Sequence, residues 1–299
     1  MMKKTLTRIG IFLIINLMLL FIGLIIVKII EPKFERTNWT TEASFSAITK
    51  NGEFDFVLMG TSHAREFSRS GNHQLVSQMT KQSFFNLSKG FGHGGLMPNL
   101  MAWKHFTLRG NHTKRVIYFV DPWVFFSKKW NEENYCLEDE PFSPAVLKLA
   151  LSSGLSAGSI INYLKSKFKP SYLFARPISS QPNLKYLQKV DTSLISKQNK
   201  ANYLDGLKRE NFEKYAALFK KFIEDLQSQG ISVTLVLPPT LLGIEPGRNQ
   251  LVNFLETING VEFYDHSQSI SDPRLFYDLH HLNTRGIGEY VKANLELFD

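Results

Sequence analysis

The chain opens on an unbroken apolar block. From Ile9 to Val27 no side chain is charged and only Asn16 is strongly polar, while Ile29-Ile30 extends the block beyond Lys28. Nineteen helical residues at a rise of about 1.5 Å each nearly cross a hydrocarbon core of about 30 Å. The block therefore predicts one N-terminal transmembrane helix. It exceeds the usual signal-peptide core, and no small-x-small cleavage site lies between Phe21 and Arg36, so it reads as an uncleaved signal anchor. No cysteine follows it closely, which excludes a lipoprotein anchor. Beyond Arg36 the pattern changes. Short apolar runs at 54–59, 83–87, 115–120, 231–237 and 261–264 read as strands. Between them, Leu96, Leu100, Trp103 and Phe106 recur at helical spacing, as do Phe212, Tyr215, Phe219, Phe222, Ile223 and Leu226, and a closing helix is expected over 286–298. Nearly continuous apolar strands alternating with helices predict an α/β fold with a mainly parallel sheet covered on both faces.

The resulting organisation is a tail and anchor at 1–30, a polar tether at 31–53 and one domain at 54–299. An insertion at about 143–205 interrupts that domain; its first part looks helical, and its later part carries Pro170, Pro177 and Pro182.

Composition narrows the class. With 43% hydrophobic residues in 299, the chain buries a large core and is not disordered. Its single cysteine, Cys136, excludes an internal disulfide framework and a multi-cysteine zinc module, and reads as a buried small hydrophobe. The net charge of +8 is local. Between Ile160 and Lys221 thirteen basic residues face only Asp191, Asp205, Glu210 and Glu213, a net +9. That stretch is either a solvated face or a contact for anionic lipid headgroups or an anionic envelope polymer. No nucleic-acid motif accompanies it, so no nucleic-acid partner is expected. Lys3, Lys4 and Arg8 precede the apolar block and Lys28, Lys33 and Arg36 follow it, a small difference. The short acid-free tail favours a cytoplasmic N-terminus and an extracytoplasmic domain.

Two loops at opposite ends of the domain carry candidate chemistry. Gly60-Thr-Ser62-His63 follows the first strand directly, where glycine permits a sharp turn that exposes a serine hydroxyl beside backbone N–H groups. Tyr277-Asp278-Leu-His280-His281-Leu-Asn283 lies near the C-terminus. In a helical turn Asp278 reaches His281 three residues on, fixes its tautomer and leaves it free to act as general base for a serine. His280 has the wrong spacing for this role, and Asn283 or Thr284 is placed to cap the last helix. Gly90-Phe-Gly-His-Gly-Gly95 also fits Gly-x-Gly-x-x-Gly with Asp121 at the end of the next strand. Ser88-Lys89 separate it from its strand, however, and neither a nicotinamide cofactor nor a metal site is expected: no His-Glu-x-x-His occurs, and adjacent His280 and His281 cannot share a helix face.

Together these blocks resemble the SGNH (GDSL-like) hydrolases, in which serine comes first and Asp-x-x-His last. Gly60-Thr-Ser62-His63 is similar to their first block, and Asp278-Leu-His-His281-Leu-Asn-Thr-Arg-Gly286 to their last. The anchor, Leu237-Pro-Pro239 and Phe276-Tyr-Asp278 are most similar to a branch containing the D-alanyl transfer protein of lipoteichoic acid biosynthesis and polysaccharide O-acylation proteins. The resemblance spans Phe54 to Phe298 outside the insertion. It implies a flavodoxin-like three-layer sandwich, Ser62 as nucleophile, His281 as general base and Asp278 as its orienting partner. It also implies an oxyanion hole from the Ser62 N–H and Gly90, with Gly92 as an alternative, and no cofactor. The family's third block, Gly-x-Asn-Asp, is absent: Phe119-Val-Asp121-Pro-Trp123 occupies its place, and an ionised carboxylate does not donate as that Asn does. The activity implied is that of a membrane-anchored serine esterase or O-acyltransferase, moving an acyl group from a donor to an envelope carbohydrate or anionic polymer, beside a multi-span acyltransferase partner. The alternative is a catalytically weak binding or scaffolding subunit of an envelope acylation complex.

Overall fold

A computed structural model of the chain describes residues 2–31, 36–37, 39–42, 44–89, 94–132, 135–174 and 177–298. Five strands form the central sheet: β1 (Phe56–Gly60), β2 (Phe84–Asn86), β3 (Arg115–Phe119), β4 (Ser232–Leu237) and β5 (Glu262–Asp265). Every neighbouring pair is parallel, in the order β2-β1-β3-β4-β5. That 2-1-3-4-5 order belongs to doubly wound sheets of the flavodoxin type, whose switch point lies between the first and third strands. Here those are β1 and β3, and the loops at their carboxyl ends carry Ser62 and Asp121.

Among the described residues twelve α-helices surround or precede the sheet. The first stretch holds α1 (Met2–Ile30), α2 (Ser62–Arg65), α3 (Asn72–Thr80), α4 (Leu96–Leu108) and α5 (Lys128–Asn131). The insertion contributes α6 (Pro144–Leu151), α7 (Ala157–Ser166), α8 (Pro170–Leu173) and α9 (Thr192–Asn202). The chain then forms α10 (Arg209–Ser228), α11 (Arg248–Leu255) and α12 (Thr284–Ala293).

The strand pleat sorts the core into two layers. Val57, Met59, Val116, Tyr118, Val233 and Leu235 face α4, α10 and α11, meeting Trp103, Phe106, Phe219, Ile223 and Leu251. Phe56, Leu58, Ile117, Phe119 and Val236 point the opposite way, onto α3 and α12 through Val76, Ile287, Tyr290 and Val291. A period of two along each strand thus gives both faces an apolar surface, which is why these runs lack polar alternation.

Four features differ from the sequence reading. Helices α3 and α11 lie in stretches too polar to announce themselves. The later insertion is not wholly irregular, because Asp191 caps α9 by accepting from the Ser193 N–H at 3.0 Å. The stretch after the apolar helix is packed among its described residues, not a free linker: Phe45 and Ile48 are buried, and the Phe45 and Ser46 N–H groups donate to Glu140 at 2.9 and 3.1 Å. Finally, residues 278–281 form a bent loop, not a helical turn, closed by an antiparallel bridge between Phe276 and Leu282.

Helix α1 is long and apolar enough to cross a membrane.

Candidate active site

Gly60 ends β1 with φ = +132°, a conformation L side chains rarely adopt, and a Cβ there would run into the Phe119 carbonyl oxygen. The chain therefore turns sharply off the sheet, and Ser62 becomes the first residue of α2. Its N–H lies in the first turn, where a helix offers no intrahelical acceptor. Buried amides hold this turn in place. Asn99 accepts from the Gly60 N–H at 3.1 Å and donates to the Gly95 carbonyl at 2.7 Å, tying the end of β1 to the start of α4. Asn86 donates from β2 to the Ala64 carbonyl at 2.8 Å and to Ser68 Oγ at 3.0 Å.

The second half comes from the C-terminal loop. Both the His280 and His281 N–H groups donate to Asp278 Oδ1 at 2.8 Å, so the carboxylate organises its own loop. Its Oδ2 stands 2.8 Å from His281 Nδ1, and His281 Nε2 stands 2.7 Å from Ser62 Oγ. Burial pushes the Asp278 carboxyl up, but the His281 hydrogen bond and charge and the two amides outweigh it, leaving it at about 2. A carboxylate on Nδ1 selects the tautomer whose Nε2 accepts, and Nε2 faces the serine hydroxyl. The Leu279 carbonyl receives the Leu241 N–H at 2.9 Å, and Asn283 caps α12 by accepting from the Gly286 N–H at 2.9 Å. The loop is thus pinned on both sides. Ser62, Asp278 and His281, the three catalytic candidates, meet in one hydrogen-bonded chain. The fourth, Gly90, and its alternative Gly92 lie outside the described residues.

Asp121 has a different occupation from the donor its place in the sequence suggests. It is buried, accepts a short hydrogen bond from Thr61 Oγ1, and its Oδ1 lies 2.8 Å from His63 Nδ1. Burial opposes charge on both groups, yet each favours the charged form of the other, so His63 is raised and Asp121 lowered. The pair clamps both residues flanking Ser62 onto the end of β3. Sequence reasoning missed it; the His beside the serine and the Asp at a strand end were the available signals. His280 packs edge-on against His63 at 5.6 Å between ring centroids, and burial followed by the charges of His63 and His281 pushes it down to about 3. Glu245 near this pair is pushed up to about 8, first by burial and then by the charge of Asp121.

A pocket of about 40 Å³ opens onto Ser62 and His281. Trp123 and Trp130, an edge-on pair 5.5 Å apart, and Gln198 and Asn202 of α9 form its far wall. Gly94 forms another side, where a Cβ would lie 2.8 Å from the Lys89 carbonyl oxygen and 3.2 Å from Thr61 Cα, so only glycine brings that backbone so close to the serine turn. Lys89, which precedes the glycine cluster, is anchored on Glu140 at 2.7 Å and on the Cys136 carbonyl at 2.6 Å. Among the described residues no group of three or more His, Cys, Asp or Glu is arranged to hold a metal ion.

No protein-family model matches the chain, and no curated protein matches it at a significant level.

Proposed function

We propose that this protein is a membrane-anchored serine acyl-transfer enzyme of the SGNH type, an esterase or an O-acyltransferase. The hydrogen-bonded chain Ser62–His281–Asp278 carries this reading: base and nucleophile are at 2.7 Å and base and carboxylate at 2.8 Å. The 2-1-3-4-5 strand order supports it, because the resemblance in Gly60–His63 and Asp278–Gly286 implies that topology.

In this mechanism His281 Nε2 takes the Ser62 proton as Oγ attacks the donor carbonyl, and Asp278 stabilises the imidazolium. The oxyanion receives the Ser62 N–H, with Gly90 as the second donor. Collapse of the tetrahedral intermediate expels the donor's leaving group, protonated by His281, and leaves an acyl-serine. A second hydroxyl, from carbohydrate, polymer or water, then repeats the sequence in reverse. The paired tryptophans and the Gln198 and Asn202 amides suit a sugar face and its hydroxyls. A pocket of about 40 Å³ suits a short acyl group. In this reading α1 anchors the domain at an envelope membrane, with its N-terminus cytoplasmic and a multi-span acyltransferase as partner; the length and apolar character of α1 support the anchor.

A serine-directed fluorophosphonate probe on the full-length protein tests the assignment. Labelling of the wild type and none of Ser62→Ala is the expected result. No labelling of either, with both proteins folded, overturns it in favour of a binding or scaffolding subunit.

A further inference from the structure

One face of α1 is turned to the domain and the other is not. Leu20, Gly23, Leu24, Val27 and Glu31 recur at helical spacing; Leu24 and Val27 are only 4% and 3% exposed, whereas Ile22, Ile25 and Ile26 on the other side remain open and Phe21 lies on the flank. The partners of this stripe come from the insertion. The Phe168 ring lies so close to Gly23 that a Cβ there would stand 3.1 Å from it. Phe21 shares an apolar cavity of about 350 Å³ with Phe142, Leu147 and Leu151. At the helix end Tyr172 Oη donates to Glu31 at 2.8 Å.

Helix geometry gives this packing a consequence. From Val27 back to Leu20 is about 10 Å along the axis. A domain surface packed on those residues therefore lies at hydrocarbon depth wherever α1 spans a bilayer. The outer surface of α6–α8 is built for that depth. Leu151 is 65% and Phe174 79% exposed, and Ile161 and Phe168 are also open. Residues 143–174 contain no aspartate or glutamate, and Lys148 on α6 and Lys165 on α7 are exposed, while Lys169, just before α8, pairs with Glu138. Long basic side chains around open apolar ones let the stems run along lipid while the ammonium groups reach the headgroups.

We propose that α6–α8 form a second membrane contact, a monotopic one, sunk into an anionic phospholipid bilayer beside α1. This inference rests on the reading of α1 as membrane-spanning and is independent of the catalytic assignment. It fixes the domain against the lipid surface at two places. Because α9 of the same insertion lines the Ser62 pocket, the contact also fixes where that pocket stands above the membrane.

The test uses the full-length chain in nanodiscs of phosphatidylcholine and phosphatidylglycerol. Nitroxide labels are placed singly at Leu151→Cys, Phe168→Cys and Phe174→Cys, with Ile15→Cys in α1 as the deep control and Glu256→Cys just after α11 as the aqueous one. The unsubstituted protein, whose Cys136 is buried, is the labelling blank. Power saturation with oxygen and a water-soluble nickel chelate reads depth. The expected result is labels at 151, 168 and 174 about 5–10 Å below the headgroups. Accessibility to nickel equal to that at Glu256→Cys, while Ile15→Cys stays shielded, overturns the second contact alone. An aqueous reading at Ile15→Cys overturns the membrane-spanning reading as well. Depths unchanged in nanodiscs of phosphatidylcholine alone overturn the anionic preference.

Discussion

The sharpest prediction concerns Asp278→Asn. In the wild type Oδ1 is held by the backbone N–H groups of His280 and His281, each at 2.8 Å, and Oδ2 faces His281 Nδ1 at 2.8 Å. An amide in this loop must keep its oxygen on the two N–H donors, which puts its NH₂ where Oδ2 was. Nδ1 then accepts, Nε2 carries the proton, and the base presents a hydrogen to Ser62 in place of a lone pair. The change is small in shape and large in chemistry. A wrong tautomer of this kind costs about 10⁴-fold in turnover, equivalent to roughly 5 kcal/mol of transition-state stabilisation. Folding feels far less. The carboxyl drops from 3.8 to about 2, worth roughly 2.5 kcal/mol if fully buried, but the side chain is 45% exposed and screening reduces this to about 1 kcal/mol. The sign follows from a folded value below the unfolded one: this stability is present above about pH 4 and is lost as pH falls through 2. The assays are the rate of fluorophosphonate labelling and a thermal melt of the same preparation at pH 7 and at pH 3. Asp278→Asn should label orders of magnitude more slowly while melting within a few degrees of wild type at pH 7, and should show a shallower acid-side slope, since other lowered carboxylates such as Asp121 keep theirs. A variant that labels at close to the wild-type rate refutes the reasoning.

Other perturbations separate the parts of the site. Gly60→Ala, strained at φ = +132° and pressed on the Phe119 carbonyl, should lose at least about 1–3 kcal/mol in urea unfolding. Asp121→Ala leaves His63 buried without its partner and should cost about 3–5 kcal/mol in the same assay, with His63→Ala giving a comparable loss. Cys136, buried and with its thiol pushed up to about 12, should resist iodoacetamide in the native protein and react in denaturant; fast native alkylation contradicts the packing. With a pocket of about 40 Å³, hydrolysis of p-nitrophenyl acetate should exceed that of the octanoate, and the reverse preference in kcat/KM contradicts the pocket reading.

The parts of the fold that sequence reveals are those where burial is one-sided or complete. Strands β1, β3 and β4 are legible because nearly every residue in them is buried, and α10 because its stripe from Phe212 to Leu226 faces the sheet. Helices α3, α9 and α11 bury only a few residues each and carry polar side chains elsewhere, so no periodicity stands out. The triad was legible because its chemistry is local in type: a serine after a strand-end glycine, and a His three residues after an Asp. The loop that joins Asp278 to His281 was not, since two backbone N–H groups on one carboxylate oxygen shape it without any helical pattern. Nor were the supports. The His63–Asp121 pair joins residues 58 apart whose meeting depends on β1 lying beside β3. The pocket wall depends on an insertion folding back over the sheet, which brings Gln198 and Asn202 to Trp123 and Trp130.

The bond from His281 to Ser62 crosses 219 residues of chain. A serine made early in synthesis therefore waits for its imidazole partner until almost the whole polypeptide exists. Every strand of the sheet, the insertion and the loop after β5 must be in place before imidazole and hydroxyl meet. A chain arrested midway, or clipped before the 278–281 loop, carries Ser62 and its glycine turn but lacks the imidazole that stands against it. On the proposed function, competence for acyl transfer is thus tied to completion of the chain, and fragments that stop short of His281 are expected to be inert toward a serine-directed probe.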